Sequence, residues 1–119
     1  MFTFPDDYEN GWTLKTEISE NGIGLHTGLN SKVLIKPTAL PGFHFSFPEE
    51  HNKITTINPS QIKNNPLCTT LEIDGKKIFT VEHLLASLTG CGVTHALIEV
   101  DGNEVPILDG SARCWIEAI

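Results

Sequence analysis

Basic residues are scarce in this chain of 119 residues: eight Lys and Arg stand against 15 Asp and Glu, giving a formal net charge of −7. No window gathers cations, so a nucleic-acid backbone finds no electrostatic footprint here. Anionic lipid headgroups gain nothing from such a surface either. Cysteine is also sparse. Cys68, Cys91 and Cys114 form an odd set without CxxC spacing, which argues against a disulfide framework and a Cys-rich zinc knuckle. They read as reduced thiols in a cytoplasmic compartment. Long apolar runs are missing as well. The longest uncharged stretch, residues 84–98, is broken by Gly90 and Gly92 and is too short to span a bilayer, so stable membrane insertion is not expected. Residues 1–10 have neither the basic nor the apolar region of a secretory signal.

Several catalytic signatures are absent too. A Rossmann reading of Gly22 and Gly24 needs glycine at 27, where Thr stands. No Gly-Lys-Ser/Thr, Gly-x-Ser-x-Gly or HExxH occurs. Asn58-Pro59-Ser60 is barred from glycosylation by its proline.

What is present suits one globular domain. Hydrophobic content is 39% and charged content 19%, and the length is enough to bury a core without staples. Trp12, Leu14, Thr16 and Ile18 alternate with Thr13, Lys15 and Glu17, which predicts a half-buried strand over residues 12–18. A glycine-rich bend follows, Gly22-Ile23-Gly24-Leu25-His26-Thr27-Gly28, where positive φ is expected at one or more glycines. A second strand is predicted over residues 32–36. Residues 37–66 hold five prolines, and short edge strands such as 43–47 are expected there.

Residues 68–79 carry a hairpin pattern, with Asp74-Gly75 as a type I′ turn. A helix opens next. Thr80 is its expected cap, and Val81, Leu84, Leu85 and Leu88 form its apolar stripe. Gly90 and Gly92 end it. Residues 95–100 alternate again, with Ala96, Ile98 and Val100 inward. Asp109-Gly110-Ser111 then offers cap chemistry to a last helix containing Ala112, Trp115, Ile116 and Ile119. Its pattern runs to the final residue, which reads as a chain cut within a helix. The predicted fold is α+β: a single domain, a mainly antiparallel sheet, two helices on one face.

Glu82 and His83 are the most informative residues. At about 100° per residue they lie away from the apolar stripe, in the first turn, beside unpaired backbone N–H groups. That setting favours an ionised carboxylate and a neutral imidazole, the states of a general base and a zinc ligand. The spacing by itself is that of a solvated helix start, and one imidazole cannot hold a catalytic zinc. His44, His51 and His95 lack ligand spacing and read as structural.

Gly22-Ile23-Gly24-Leu25-His26-Thr27-Gly28, Thr80-Val81-Glu82-His83-Leu84 and Glu104-Val105-Pro106-Ile107-Leu108-Asp109-Gly110-Ser111 occur in order, with Leu67-Cys68-Thr69-Thr70 as a weaker fourth segment. Together they resemble the UDP-3-O-acyl-N-acetylglucosamine deacetylases of lipid A biosynthesis. The resemblance implies two similar α+β domains with a ribosomal-protein-S5-domain-2-like layer, of which residues 1–119 are the amino-terminal one. It implies that His83 binds Zn²⁺, that Glu82 is the general base, and that His26 has a supporting role. Leu67, Cys68 and Thr69 would line the passage for an acylated UDP-sugar. The remaining zinc ligands, a His and an Asp, would come from a second domain absent from this sequence, leaving this chain by itself inactive. A non-catalytic single-domain relative, acting as a binding or assembly module, is the competing reading. A third, RNA binding by a ribosomal-protein-like layer, meets the acidic balance of the chain.

Overall fold

In a computed structural model the described residues are 11–25, 27–47, 55–56, 62–64, 69–73, 76–108, 110–111 and 113–119. The elements run β1 (Ile18–Ile23), β2 (Asn30–Lys36), β3 (Gly42–Ser46), β4 (Thr55–Thr56), β5 (Ile62–Asn64), β6 (Thr69–Ile73), β7 (Lys76–Phe79), α1 (Glu82–Gly90), β8 (His95–Asp101) and α2 (Arg113–Ala118). The α+β class is as expected. The strands, however, divide into a five-stranded sheet ordered β1-β2-β8-β3-β4 and a three-stranded sheet β5-β6-β7.

Alternation builds the larger sheet. Val33 pairs with Val100 and Ile35 with Ile98, and all four are fully buried. One face of the β2–β8 ladder is therefore continuous apolar surface. The opposite face carries a Lys36–Glu99 ion pair at 2.9 Å. Leu84 and Leu88 of α1 and Trp115 of α2 join the buried ladder residues in one cluster, so both helices contribute to the core that this face lines. Burying one Leu or Ile side chain this completely stabilises by roughly 1.5–3 kcal/mol.

Three expectations need correction. Residues 12–17 are not a strand: β1 begins at Ile18 and runs into the glycine segment. The polar contacts of the earlier stretch go elsewhere. Trp12 N–H donates to Thr94 Oγ1 at 2.7 Å, and the Trp12 carbonyl accepts the N–H groups of Thr94 and His95. Leu14 alone turns into the core, 6% exposed. The segment around Phe45 is not at an edge. It lies between β8 and β4 and pairs parallel to β8, with Phe45 opposite Ile98. Parallel pairing requires a long crossover, here everything from β4 through α1, and periodicity within either strand carries no sign of it. Finally, Thr80 does not cap α1. Val81 is the N-cap residue, and no side chain caps it.

The predicted hairpin is present, in register Thr70↔Phe79, Leu71↔Ile78, Glu72↔Lys77 and Ile73↔Lys76; its turn at 74–75 lies outside the described residues. α1 closes as its glycines suggest. Gly92 adopts φ 82°, its N–H bonds the Thr89 carbonyl and the Val93 N–H bonds that of Leu88, a Schellman ending. At α2 the Ser111 hydroxyl accepts the Arg113 N–H at 3.2 Å. Trp115 is fully buried, while Ile116 is 40% exposed. His44 is a structural histidine: it is buried, and its Nε2 faces the carbonyls of Leu40 and Pro41 at 3.2 and 2.9 Å. No helix among the described residues is long and apolar enough to cross a membrane.

Candidate active site

The chain enters α1 abruptly. β7 ends at Phe79, whose N–H donates to the Asn103 carbonyl at 2.9 Å and whose carbonyl accepts the Val105 N–H at 3.1 Å. This short parallel bridge lays residues 103–105 beside the end of the hairpin. Thr80 then takes φ 62°, a left-handed conformation that β-branched residues rarely adopt, and one residue later the helix begins. Glu82 and His83 thus fall in the first turn, both half-buried and outside the apolar cluster. Leu84, Ser87 and Leu88 are the buried residues of α1, and Leu85 is half-buried, so the expected stripe is observed. The Ser87 hydroxyl donates to the His83 carbonyl at 2.6 Å, bracing the turn that carries the imidazole.

The glycine bend reaches the same place from the other side. Gly24 N–H bonds the Leu29 carbonyl, and Gly28 N–H bonds the Gly24 carbonyl, each at 3.0 Å. Gly28 has φ 67°, the positive value expected within the bend. His26 lies outside the described residues, as do Leu67 and Cys68. Thr69 opens β6 opposite Asn64, next to Thr70, which pairs with Phe79. That register puts Thr69 and Thr70 on the strand that pairs with β7, the strand leading into α1.

Glu104 joins these parts, and sequence reasoning assigned it no role. Its side chain is only 1% exposed. Oε1 accepts the Thr27 N–H at 2.9 Å, and Oε2 accepts the Thr80 hydroxyl at 2.5 Å. The Ser31 hydroxyl donates to the Glu104 carbonyl at 2.6 Å, and Ile107 N–H bonds the Ile23 carbonyl at 3.1 Å. The glycine bend, the helix start and the 104–108 segment are therefore tied together around one carboxylate. The available signal was an ionisable residue directly before the apolar run Val105-Pro106-Ile107-Leu108.

A cleft of about 210 Å³ opens over Thr27, Leu29, Asn30, Ser31, Gly102, Asn103 and Glu104. It is smaller than the roughly 300–1,000 Å³ of typical ligand sites, and neither Glu82 nor His83 lines it. Ile23, Leu25 and Leu29 stand 57%, 61% and 69% exposed around the bend, a local apolar surface. Among the described residues, no three His, Cys, Asp or Glu side chains are grouped to hold a metal ion. His83 beside Glu82 fits one corner of a zinc site by donor chemistry, and the described residues do not complete it. Cys91, just past the far end of α1, is buried, and burial raises its thiol pKa.

Residues 12–119 match the family model described as UDP-3-O-acyl N-acetylglycosamine deacetylase. The chain is 38% identical over 107 residues to the UDP-3-O-acyl-N-acetylglucosamine deacetylase of Thermodesulfovibrio yellowstonii, covering 90% of this chain and 37% of the relative. It is 40% identical over 111 residues to that of Trichormus variabilis, covering 90% and 39%. To the Shewanella woodyi protein of the same name it is 37% identical over 107 residues, covering 87% and 35%. The chain spans a little over a third of the length of these curated relatives.

Proposed function

Because the chain belongs to the UDP-3-O-acyl N-acetylglycosamine deacetylase family, we propose that it contributes half of a zinc-dependent active site for amide hydrolysis. The substrate is a UDP-sugar bearing a 3-O-linked acyl chain, and the product of its 2-acetamido group is acetate. The reaction belongs to lipid A biosynthesis in the cytoplasm. The observation that supports this reading is the position of Glu82 and His83: half-exposed in the first turn of α1, at the positive end of the helix.

His83 would hold the metal through its imidazole, and the remaining ligands would come from a second domain. When bound, zinc supplies Lewis acidity toward the amide carbonyl and lowers the pKa of water at the site. Glu82 accepts a proton from the attacking water. The water oxygen forms the new C–O bond, the C–N bond breaks, and the leaving nitrogen takes up a proton. His26 is assigned a supporting role, and Leu67, Cys68 and Thr69 the wall of the substrate passage.

Residues 1–119 would be the amino-terminal of two α+β domains, each built on a ribosomal-protein-S5-domain-2-like layer. Exposed Ile23, Leu25 and Leu29 make the kind of apolar surface that a partner covers, and we assign it to the second domain.

The test uses the full-length protein carrying these residues. Glu82→Ala should lower kcat by about 10²–10⁴-fold with zinc retained, whereas His83→Ala should lose zinc. Unchanged turnover in both variants would rule the assignment out.

A further inference from the structure

A buried carboxylate is costly unless its oxygens are satisfied by donors, and two of the donors to Glu104 lie in the glycine bend and at the entry to α1. One oxygen holds the Thr27 N–H in the glycine bend. The other holds the hydroxyl of Thr80, the residue at φ 62° from which α1 departs. Only Val81 separates Thr80 from Glu82. A left-handed β-branched residue persists where its surroundings hold it, and such strain gathers at functional sites. Were Thr80 to relax to negative φ, the direction in which the first turn leaves β7 would change, and Glu82 and His83 with it.

We propose that Glu104 is a positioning residue for amide hydrolysis: through Thr80 and Thr27 it sets the orientation of the Glu82–His83 turn relative to the glycine bend. The inference rests on the assignment of Glu82 and His83 made above. Glu104 touches neither substrate nor metal in this account and acts through the backbone at Thr80. Displacement of a reacting group by about 1 Å is enough to lower a rate about 100-fold.

The experiment measures kcat, KM, zinc content and melting temperature in the full-length protein for Glu104→Ala, Glu104→Gln, Thr80→Val and the double variant Thr80→Val/Glu104→Ala. Glutamine can keep both links, its carbonyl accepting from Thr27 and its amide donating to the Thr80 hydroxyl, so Glu104→Gln should stay within about threefold of the parent kcat. Thr80→Val is isosteric and leaves the rest of the hydrogen-bonded cluster in place, so it decides the matter if Glu104→Ala does not fold. Both Thr80→Val and Glu104→Ala should lose kcat on the order of 100-fold with KM and zinc content held, and the double variant should lose no more than the worse single one. A merely structural Glu104 would lower the melting temperature and leave the kcat of folded protein unchanged, which would overturn the proposal. If Glu82→Ala abolishes turnover while Thr80→Val and Glu104→Ala turn over normally, positioning fails alone. If Glu82→Ala turns over normally, the assignment beneath it fails as well.

Discussion

Replacing Gly24 by alanine tests how tightly the glycine bend is locked onto its carboxylate. A Cβ at Gly24 would sit 2.2 Å from Glu104 Oε1, 2.7 Å from its Cδ and 2.7 Å from Thr27 Oγ1, against an ordinary contact distance of about 3.5 Å. The clashing atoms end a flexible side chain, but this one is 1% exposed and anchored at both oxygens. Withdrawal by more than 1 Å, about the deficit from ordinary contact, would break the 2.9 Å bond to Thr27 N–H. Losing a hydrogen bond to a charged group is worth about 1.5–3 kcal/mol, and overpacking adds about 1–3 kcal/mol. The lower unfolded-state entropy of alanine returns about 0.4–1 kcal/mol. With partial relaxation, Gly24→Ala should destabilise by about 2–4 kcal/mol and lower the melting midpoint by roughly 10 °C. Gly90→Ala is the control. Its Cβ meets nothing within 4 Å, and in the helix it should stabilise by about 0.5–1 kcal/mol. Urea unfolding followed by tryptophan fluorescence measures both. A Gly24→Ala protein within about 0.5 kcal/mol of the parent, a change typical of innocuous surface substitutions, would refute the close approach.

Gly92→Ala should destabilise by about 1 kcal/mol in the same assay, because alanine at φ 82° is strained and the Schellman ending depends on that angle. Leu84→Ala, at a fully buried position, should lower stability by about 2–5 kcal/mol. Cys91 should resist alkylation in the native protein and react after denaturation, since its thiol is buried and its pKa raised. The fold then retains a proton that the unfolded chain releases, so stability should fall as pH rises beyond 9.0, the ordinary thiol value. Lys36 acts in the same direction. Its hydrogen bond to Glu99 is the first cause raising its pKa above 10.5, so that contribution is complete below 10.5 and lost as pH climbs through the raised value; pH-dependent melting curves measure both effects.

Local periodicity carried most of the fold. The inward set Ala96, Ile98 and Val100, the α1 stripe and the glycines that end α1 could all be read from spacing, because each depends on residues within a few positions. The first strand was misplaced for the same reason. Leu14 and Ile18 share a parity, but only β1, from Ile18 onward, finds a partner in β2, and pairing is not a local property. The parallel alignment of Phe45 with Ile98 was likewise invisible, because the segment between them says nothing of where the chain returns.

By itself the sequence determined the α+β class, the register-bearing apolar faces and the motifs that match the family. Only tertiary structure decided that Glu104 is the point where those motifs meet. Two partners of its carboxylate lie 77 and 24 residues away, and whether a carboxylate is buried and bonded depends on what surrounds it in space. Thr80 looked like a helix cap because its neighbours in sequence suit one. It is held at positive φ with its hydroxyl on Glu104 instead, since a buried carboxylate needs a donor and takes the hydroxyl that a cap would have used.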